Sequence, residues 1–153
     1  ETMHVLRAEK AFPIVGQDTD GTVTPADLGL GWALSRKKTD YVGKRSHARS
    51  DAQRPDRRHL VGLAPLDGTS PIAEGSQLVA HGADLAATPV PMLGHVTSAY
   101  AAGVAGPFAL ALLDGGRDRM GEVLDAVDDL VGTPVRVTAP VSYDPEGARR
   151  DGI

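Results

Sequence analysis

The sequence predicts a mixed α+β segment over residues 1–53, followed by a mainly antiparallel β domain over residues 54–153. Eighteen glycines and eleven prolines in 153 residues indicate many turns and short elements, which is typical of β-rich folds. Aromatic residues make up only 4% of the chain, so the core must be built mainly from Ala, Val and Leu. A polar run with a proline at residues 53–56 has the composition of a linker and separates the two patterns.

The first segment is predicted to contain short elements of both types. Apolar residues alternate loosely from Met3, which favours a strand. Thr24-Pro25 is typical of a helix start, with the threonine as N-cap and the proline at the first helical position. The predicted elements, in order, are a strand at 2–12, turns at 16–21, a short helix from Thr24, a buried strand at 30–34 around Trp32, and a basic helix at 42–52.

Short apolar runs separated by turn residues follow the linker. We predict strands at 59–65, 76–80, 91–98, 108–113 and 133–141. Five short strands with turn signals between them indicate a small barrel or a sandwich.

Residues 117–131 allow two interpretations. Five apolar residues between Val123 and Val131 have helical spacing, which favours a helix. Asp128-Asp129 would instead fit a hairpin turn between two strands.

Composition and charge exclude several classes of function. The net charge of −4 gives no reason to expect a nucleic-acid partner, and we interpret the nine Lys and Arg within residues 36–58 as a solvated helix and linker. The chain has no cysteine, which excludes disulfides and thiolate metal sites. No apolar run approaches the roughly 20 residues needed to cross a bilayer. We therefore expect no membrane partner and a cytoplasmic location.

The beginning of the chain indicates a segment of a larger protein. Apolar residues occur at once, in Met3, Val5 and Leu6, as if the chain opened within an element. We therefore expect these 153 residues to lack a complete active site.

Arg7, Glu9 and Lys10 are the candidate binding residues. The five histidines show no metal-ligand spacing, and the sequence contains no nucleophile elbow, dinucleotide loop or phosphate loop. In a strand, Arg7 and Glu9 would share one face, with Lys10 on the other. Such a pair could bind a ligand with a carboxylate at one end and paired N–H donors at the other. The alternative is a surface ion pair, worth less than about 1 kcal/mol.

Ordered runs along nearly the whole chain resemble the glycine-cleavage aminomethyltransferase family. In the first segment they are Leu6-Arg7-Ala8-Glu9-Lys10, Gly16-Gln17-Asp18, Thr24-Pro25, Gly29-Leu30-Gly31-Trp32-Ala33 and Tyr41-Val42-Gly43-Lys44-Arg45. In the second they are Leu93-Gly94-His95-Val96-Thr97-Ser98, Ala109-Leu110-Ala111-Leu112 and Gly132-Thr133-Pro134-Val135-Arg136-Val137. The resemblance implies the second half of a folate-binding domain over 1–53 and a C-terminal antiparallel barrel of about six strands over 54–153. It also implies a strand near 122–127, against the helical pattern.

The same resemblance implies a cofactor and roles for residues. Tetrahydrofolate is the expected cofactor, with Arg7 near its carboxylate tail or in a structural role beside it, and with Glu9 and Lys10 in the same motif. The family's acidic residue near the reacting nitrogen and its pterin-binding glutamate belong to the first half of the folate domain, which these residues do not include.

Within the family, residues 12–21 and 143–147 look most like the α subunits of heterotetrameric sarcosine oxidases. This branch implies an oxidoreductase acting on a CH–NH bond, partner subunits, and FAD, FMN and NAD in the parent enzyme. Its one-carbon product is joined to tetrahydrofolate. The alternatives are the aminomethyltransferase of glycine cleavage, dimethylglycine dehydrogenase, a standalone binding module that regulates one-carbon enzymes, and a purely structural domain. Half of a folate domain would expose a core surface, so we also expect self-association of the chain.

Overall fold

A closed barrel of six antiparallel strands forms the second part of the chain, in the spatial order β1-β4-β3-β2-β5-β6 with β6 pairing back to β1. The computed structural model describes residues 2–151 and the side chains of residues 2–149. Two helices precede the barrel, α1 (Thr2–Glu9) and α2 (Lys44–His47). The strands are β1 (Arg58–Pro65), β2 (Gln77–Ala80), β3 (Gly94–Gly103), β4 (Gly106–Asp114), β5 (Val123–Asp128) and β6 (Val131–Thr138). This confirms the predicted fold class, and the resemblance rather than the strand count selects the barrel over the sandwich.

Small aliphatic side chains fill the barrel, as the composition predicts. Its interior cluster consists mainly of Val, Leu and Ala from every strand, including the fully buried Leu78, Leu113 and Leu124. In the closed barrel every strand pairs with a neighbour on each side over at least part of its length.

The outer surface of β1 and β4 is also buried, beneath the N-terminal segment. Leu60, Leu110 and Leu112 point away from the barrel interior and pack with Ala8 of α1. This explains why both strands are nearly continuous apolar runs instead of alternating ones. Burial of these side chains on both faces fixes the position of the N-terminal segment on the barrel.

The predicted strand at residues 2–12 is wrong, because residues 2–9 form α1. Val5 and Ala8 are three residues apart and therefore lie on the helix face that packs on the barrel. The helix ends in a Schellman motif, with Ala11 at a φ of 56°. In this motif the amide of Ala11 donates to the carbonyl of Ala8, and the amide of Phe12 donates to that of Arg7.

Two further predictions in the first segment need correction, and a third is only partly confirmed. The residues around Trp32 form a short 3₁₀ helix, Gly31–Ala33, and Trp32 is 80% exposed, so the predicted buried strand is wrong. After Thr24 the chain makes hydrogen-bonded turns rather than a helix, although the Thr24 hydroxyl does accept from the amide of Asp27 as an N-cap would. The basic helix is limited to α2, followed by a 3₁₀ turn, Asp51–Gln53.

In the barrel the five predicted strands are confirmed, with shifted ends. The helix that the pattern favoured at residues 117–131 is wrong, and the strand implied by the resemblance is confirmed as β5. A two-residue turn joins β5 to β6, and both its residues have positive φ, 45° at Asp129 and 64° at Leu130. Such a turn matches the twist of the flanking strands. The division between residues 53 and 54 remains a prediction.

None of the helices among the described residues has the length and hydropathy of a membrane-spanning segment.

Candidate functional site

A buried polar cluster joins the N-terminal segment to the barrel. We name it the Asp18 anchor and define it by Arg7, Asp18, Thr97, Ser98 and Tyr100. Asp18 has 0% exposure. Arg7 forms an ion pair with its carboxylate, and the Arg7 side chain is only 12% exposed. Nη2 of Arg7 also donates to Ser98 Oγ and to the Tyr100 hydroxyl, at 2.8 Å each.

Each oxygen of the Asp18 carboxylate accepts two hydrogen bonds. Oδ1 accepts from the hydroxyls of Thr97 and Ser98, at 2.6 Å each. Oδ2 accepts from the amide of Ile14 at 2.8 Å and from Arg7. Burial alone would raise the pKa of the Asp18 carboxyl, but the hydrogen bonds from Ser98, Thr97, Ile14 and Arg7 outweigh it and hold that pKa below its usual 3.8. The anchor therefore contains a charged carboxylate at neutral pH.

A β-bulge in β3 places two hydroxyls beside that carboxylate. Val96 pairs with Ala111 and Ser98 with Leu110, so Thr97 is an extra residue in the strand. Without the bulge, Thr97 and Ser98 would point to opposite faces of the sheet. With it, both side chains reach Asp18.

Two more contacts hold the first segment on the barrel. Arg57 forms an ion pair with the buried Asp27, with Nη2 at 2.7 Å from Oδ2. The amide of Leu60 in β1 donates to the carbonyl of Asp27 at 3.0 Å. Burial alone would raise the pKa of the Asp27 carboxyl. The hydrogen bonds from Arg57 and Thr24 outweigh this effect, so the pKa lies below its usual 3.8.

The residues after β6 form a strap, 139–147, that crosses the end of α1. The amides of Ser142 and Tyr143 both donate to the carbonyl of Glu9, at 3.0 and 3.2 Å. Lys10 Nζ donates to the carbonyl of Asp144 at 2.6 Å and lies 3.3 Å from its carboxylate. The strap and α1 thus hold each other in place.

The three predicted binding residues point in three directions, since residues two apart on a helix do not share a face. Arg7 faces the Asp18 anchor, where Nη1 and Nη2 are occupied; its Nε is buried and has no acceptor among residues 2–149. The Glu9 carboxylate accepts from the amide of Val104, in the β3–β4 turn, at 2.7 Å. Lys10 is 31% exposed and lines a surface depression that Phe12, Val141 and Arg149 also line.

Sequence reasoning missed most of the anchor. Asp18 was assigned to a turn, Thr97 and Ser98 to a strand, and Tyr100 to no element, and none of them was predicted to form a site. The signal that could have been used is the pair of hydroxyl residues within an otherwise apolar strand. Among the described residues no cluster of His, Asp and Glu could hold a metal ion.

The closed barrel with its covering N-terminal segment places the chain in a defined class. The family of the glycine cleavage T-protein C-terminal barrel domain matches residues 58–144, which is more than half of the chain, and the chain belongs to that family. The fold agrees, because the crystal structure of the glycine cleavage system aminomethyltransferase T from Bartonella henselae superposes with a TM-score of 0.74. That match is 23% identical and covers 93% of this chain and 38% of the other.

Among curated proteins the chain is similar to sarcosine oxidase alpha subunits. It is 54% identical to the subunit from Corynebacterium sp. (strain U-96) over 99% of its own length. It is 43% identical to the subunit from Rhizobium meliloti (strain 1021) over 97%. An aminomethyltransferase from Saccharopolyspora erythraea is 32% identical over 90% of the chain and 36% of that protein. The chain spans only 16% and 15% of the two alpha subunits.

Proposed function

We propose that this chain is part of a sarcosine oxidase α subunit and helps to form a site where the one-carbon unit of oxidised sarcosine is joined to tetrahydrofolate. The observation that carries this proposal is the 54% identity over 99% of the chain to a sarcosine oxidase alpha subunit. The aminomethyltransferase relative, at 32%, supports a glycine-cleavage enzyme less well. The larger enzyme would be an oxidoreductase acting on a CH–NH bond.

The residues present fit tetrahydrofolate in part. The cofactor would supply the nitrogen that accepts the one-carbon unit, and its tail carries carboxylates. Lys10 and Arg149 are two cations on the depression beside α1, whose other walls include Phe12 and Val141. Asp144 and Glu146 also line the depression, and Lys10 pairs with Asp144, so a carboxylate of the cofactor's tail would replace that partner of Lys10. The aromatic ring that precedes the tail would contact the apolar walls.

Arg7 and Glu9 have supporting roles in this proposal. The Nη groups of Arg7 are used within the Asp18 anchor, so Arg7 positions α1 rather than binding a carboxylate directly. The backbone carbonyl of Glu9 holds the strap, and Arg149 follows shortly after the strap ends. Both residues thereby keep Lys10 and Arg149 on the same depression.

The remainder of the site would come from other parts of the enzyme. The sequence contains no dinucleotide-binding loop, so we place FAD, FMN and NAD elsewhere in the assembly, together with the partner subunits. We further propose that the assembly is cytoplasmic and that the chain alone is inactive.

We expect Lys10→Met, in a sarcosine oxidase assembly that contains this sequence, to weaken tetrahydrofolate binding roughly 10-fold or more, since a charge-assisted hydrogen bond is worth about 1.5–3 kcal/mol. The rate of sarcosine oxidation should not change, because the flavin lies elsewhere. The measurement is the tetrahydrofolate concentration that gives half-maximal methylenetetrahydrofolate yield. Calorimetry on the isolated chain should detect no micromolar affinity for tetrahydrofolate.

Lys38→Met is the matched control, because Lys38 is exposed and lies away from the depression. An equal effect of both substitutions would contradict the proposal. One observation favours the alternative of a purely structural domain, namely that the Nη groups of Arg7 bind only protein groups. On that alternative, Lys10→Met leaves the methylenetetrahydrofolate yield unchanged at every cofactor concentration.

We also propose that the isolated chain self-associates through the N-terminal segment. Large apolar side chains are exposed there: Met3, Leu6, Phe12, Val15, Trp32 and Val42. Large exposed apolar side chains concentrated in one segment indicate a surface that contacts other protein. Sedimentation velocity should show concentration-dependent dimers that Leu6→Ser weakens. A compact monomer in solution scattering, with residues 1–50 ordered, would contradict this proposal.

A further inference from the structure

A half-open cavity of about 290 Å³ lies between the β3–β4 turn, the end of β1 and the first residues of the strap. Its walls are mostly apolar and include Ala64, Val104, Phe108 and Pro140. The cavity is distinct from the depression lined by Lys10, because no residue other than Val141 lines both. Its size lies at the lower end of the range for small-molecule sites, which begins at about 300 Å³.

A buried carboxylate forms part of the wall. Glu9 is only 3% exposed. Its Oε1 accepts from the amide of Val104 at 2.7 Å. Oε2 keeps some exposure, and no donor among residues 2–149 reaches it. A carboxylate oxygen that lines a cavity and has no protein donor can accept a hydrogen bond from a ligand in that cavity.

The charge of the lining selects the ligand. Among the described residues that line the cavity, Glu9 is the only ionisable one, so an anion would be repelled without a compensating Lys or Arg from that part of the chain. A neutral apolar molecule would leave Oε2 without a donor. A cationic N–H group would satisfy Oε2, while an apolar body would contact Phe108 and Pro140.

We propose that this cavity binds a small organic ammonium ion, with an N–H group donated to Glu9 Oε2 and with the apolar part against Phe108. The site does not depend on the folate proposal, which uses the backbone carbonyl of Glu9 and the depression lined by Lys10. A failure of either proposal leaves the other standing, since ammonium binding is measured without folate.

The probe is benzylammonium, with benzyl alcohol as its neutral analogue. In a nuclear magnetic resonance titration of the chain we expect the amide signal of Val104 to shift saturably, with a dissociation constant of roughly 1–10 mM for a ligand of this size. Benzyl alcohol should bind at least about 10-fold more weakly, because it cannot form a charge-assisted hydrogen bond.

Two substitutions test the site without removing the fold. Glu9→Gln keeps an oxygen for the amide of Val104 and should remove the preference for benzylammonium over benzyl alcohol. Ala64→Leu should fill the cavity and weaken both ligands. Glu74→Gln, on the exposed surface outside the cavity, is the matched control and should change neither affinity.

Three outcomes would overturn the proposal: equal affinity for the two probes, an unchanged preference in Glu9→Gln, or signal shifts confined to residues outside the cavity. The amide signals of Ser142 and Tyr143, which report the strap bonded to Glu9, verify that each variant is folded. If they move to random-coil positions in Glu9→Gln, Ala64→Leu decides, and unaltered benzylammonium binding in that variant then counts against the site.

Discussion

Replacing Asp18 with alanine should destabilise the chain by about 3–5 kcal/mol, the cost of removing one partner of a buried ion pair. The substitution leaves Arg7 without its counter-ion beneath the N-terminal segment. It also leaves the hydroxyls of Thr97 and Ser98 without their acceptor. Few single substitutions elsewhere in the segment would remove so many buried hydrogen bonds at once.

Urea unfolding at pH 7 measures this loss. Asp20→Ala is the control, because Asp20 lies two residues away and is exposed, where its carboxylate accepts hydrogen bonds from the amide and the hydroxyl of Thr22. Its loss should cost less than about 1 kcal/mol. Equal unfolding free energies for the two variants would show that the Asp18 anchor does not hold the segment on the barrel.

The pH dependence of the unfolding free energy tests the same contact independently. The folded-state pKa of Asp18 lies below the ordinary 3.8, so its stabilisation is complete above that value and is lost as the pH falls through the folded-state pKa. The difference in unfolding free energy between the native chain and Asp18→Asn should therefore shrink as the pH falls below 3.8. A difference that stays constant down to pH of about 2 would contradict the assignment of a charged carboxylate.

The second large effect is expected for Gly94→Ala, at about 3 kcal/mol. Gly94 begins β3 and pairs with Leu113 of β4. A Cβ at this position would lie 2.9 Å from the Cα of Leu113, and closer still to the carbonyl oxygen of Leu112. Both are backbone atoms of a strand buried on two sides, so the clash can be relieved only by separating β3 from β4.

Gly132→Ala is the control within the same barrel. A Cβ there would lie 3.5 Å from the Cβ of Asp125, an ordinary contact. Thermal unfolding should show a lower midpoint for Gly94→Ala and a nearly unchanged one for Gly132→Ala. Comparable midpoints would mean that β3 and β4 are not packed as closely at Gly94 as the structure has them.

The predictions for Asp18→Ala and Gly94→Ala both concern the packing of β3 against the elements around it. The bulge at Thr97 and the close approach of the strands at Gly94 both lie in the first half of β3. The bulge directs the hydroxyls of Thr97 and Ser98 to Asp18. The absence of a side chain at Gly94 lets β4 pack closely against β3. The position of α1, and with it Lys10 and the cavity at Glu9, follows from this arrangement.

The strands of the barrel could be predicted because their evidence is local. Each is a short apolar run ended by Gly, Asp or Pro, and burial of these runs does not depend on which neighbour covers them. The exception is β5, where apolar spacing matched a helix. There the hairpin with β6 prevailed, because pairing satisfies the backbone groups of both strands and closes the barrel.

The N-terminal segment could not be predicted in the same way. Met3, Val5 and Leu6 suit either a strand or a helix, and the choice depends on the outer surface of β1 and β4 that accepts Val5 and Ala8. Trp32 was expected in a buried strand, yet its side chain is exposed in the described part of the chain.

The motif that carries Arg7, Glu9 and Lys10 was visible in the linear order of residues, since a run of adjacent side chains needs no fold to be recognised. The linear order did not show that Arg7 would form an ion pair, that Glu9 would line a cavity and that Lys10 would line a surface depression. These placements depend on partners such as Ser98 and Asp144, which are 91 and 134 residues away from the groups they bind. Contacts at such separations exist only once the barrel has closed, and the side chains take their roles from it.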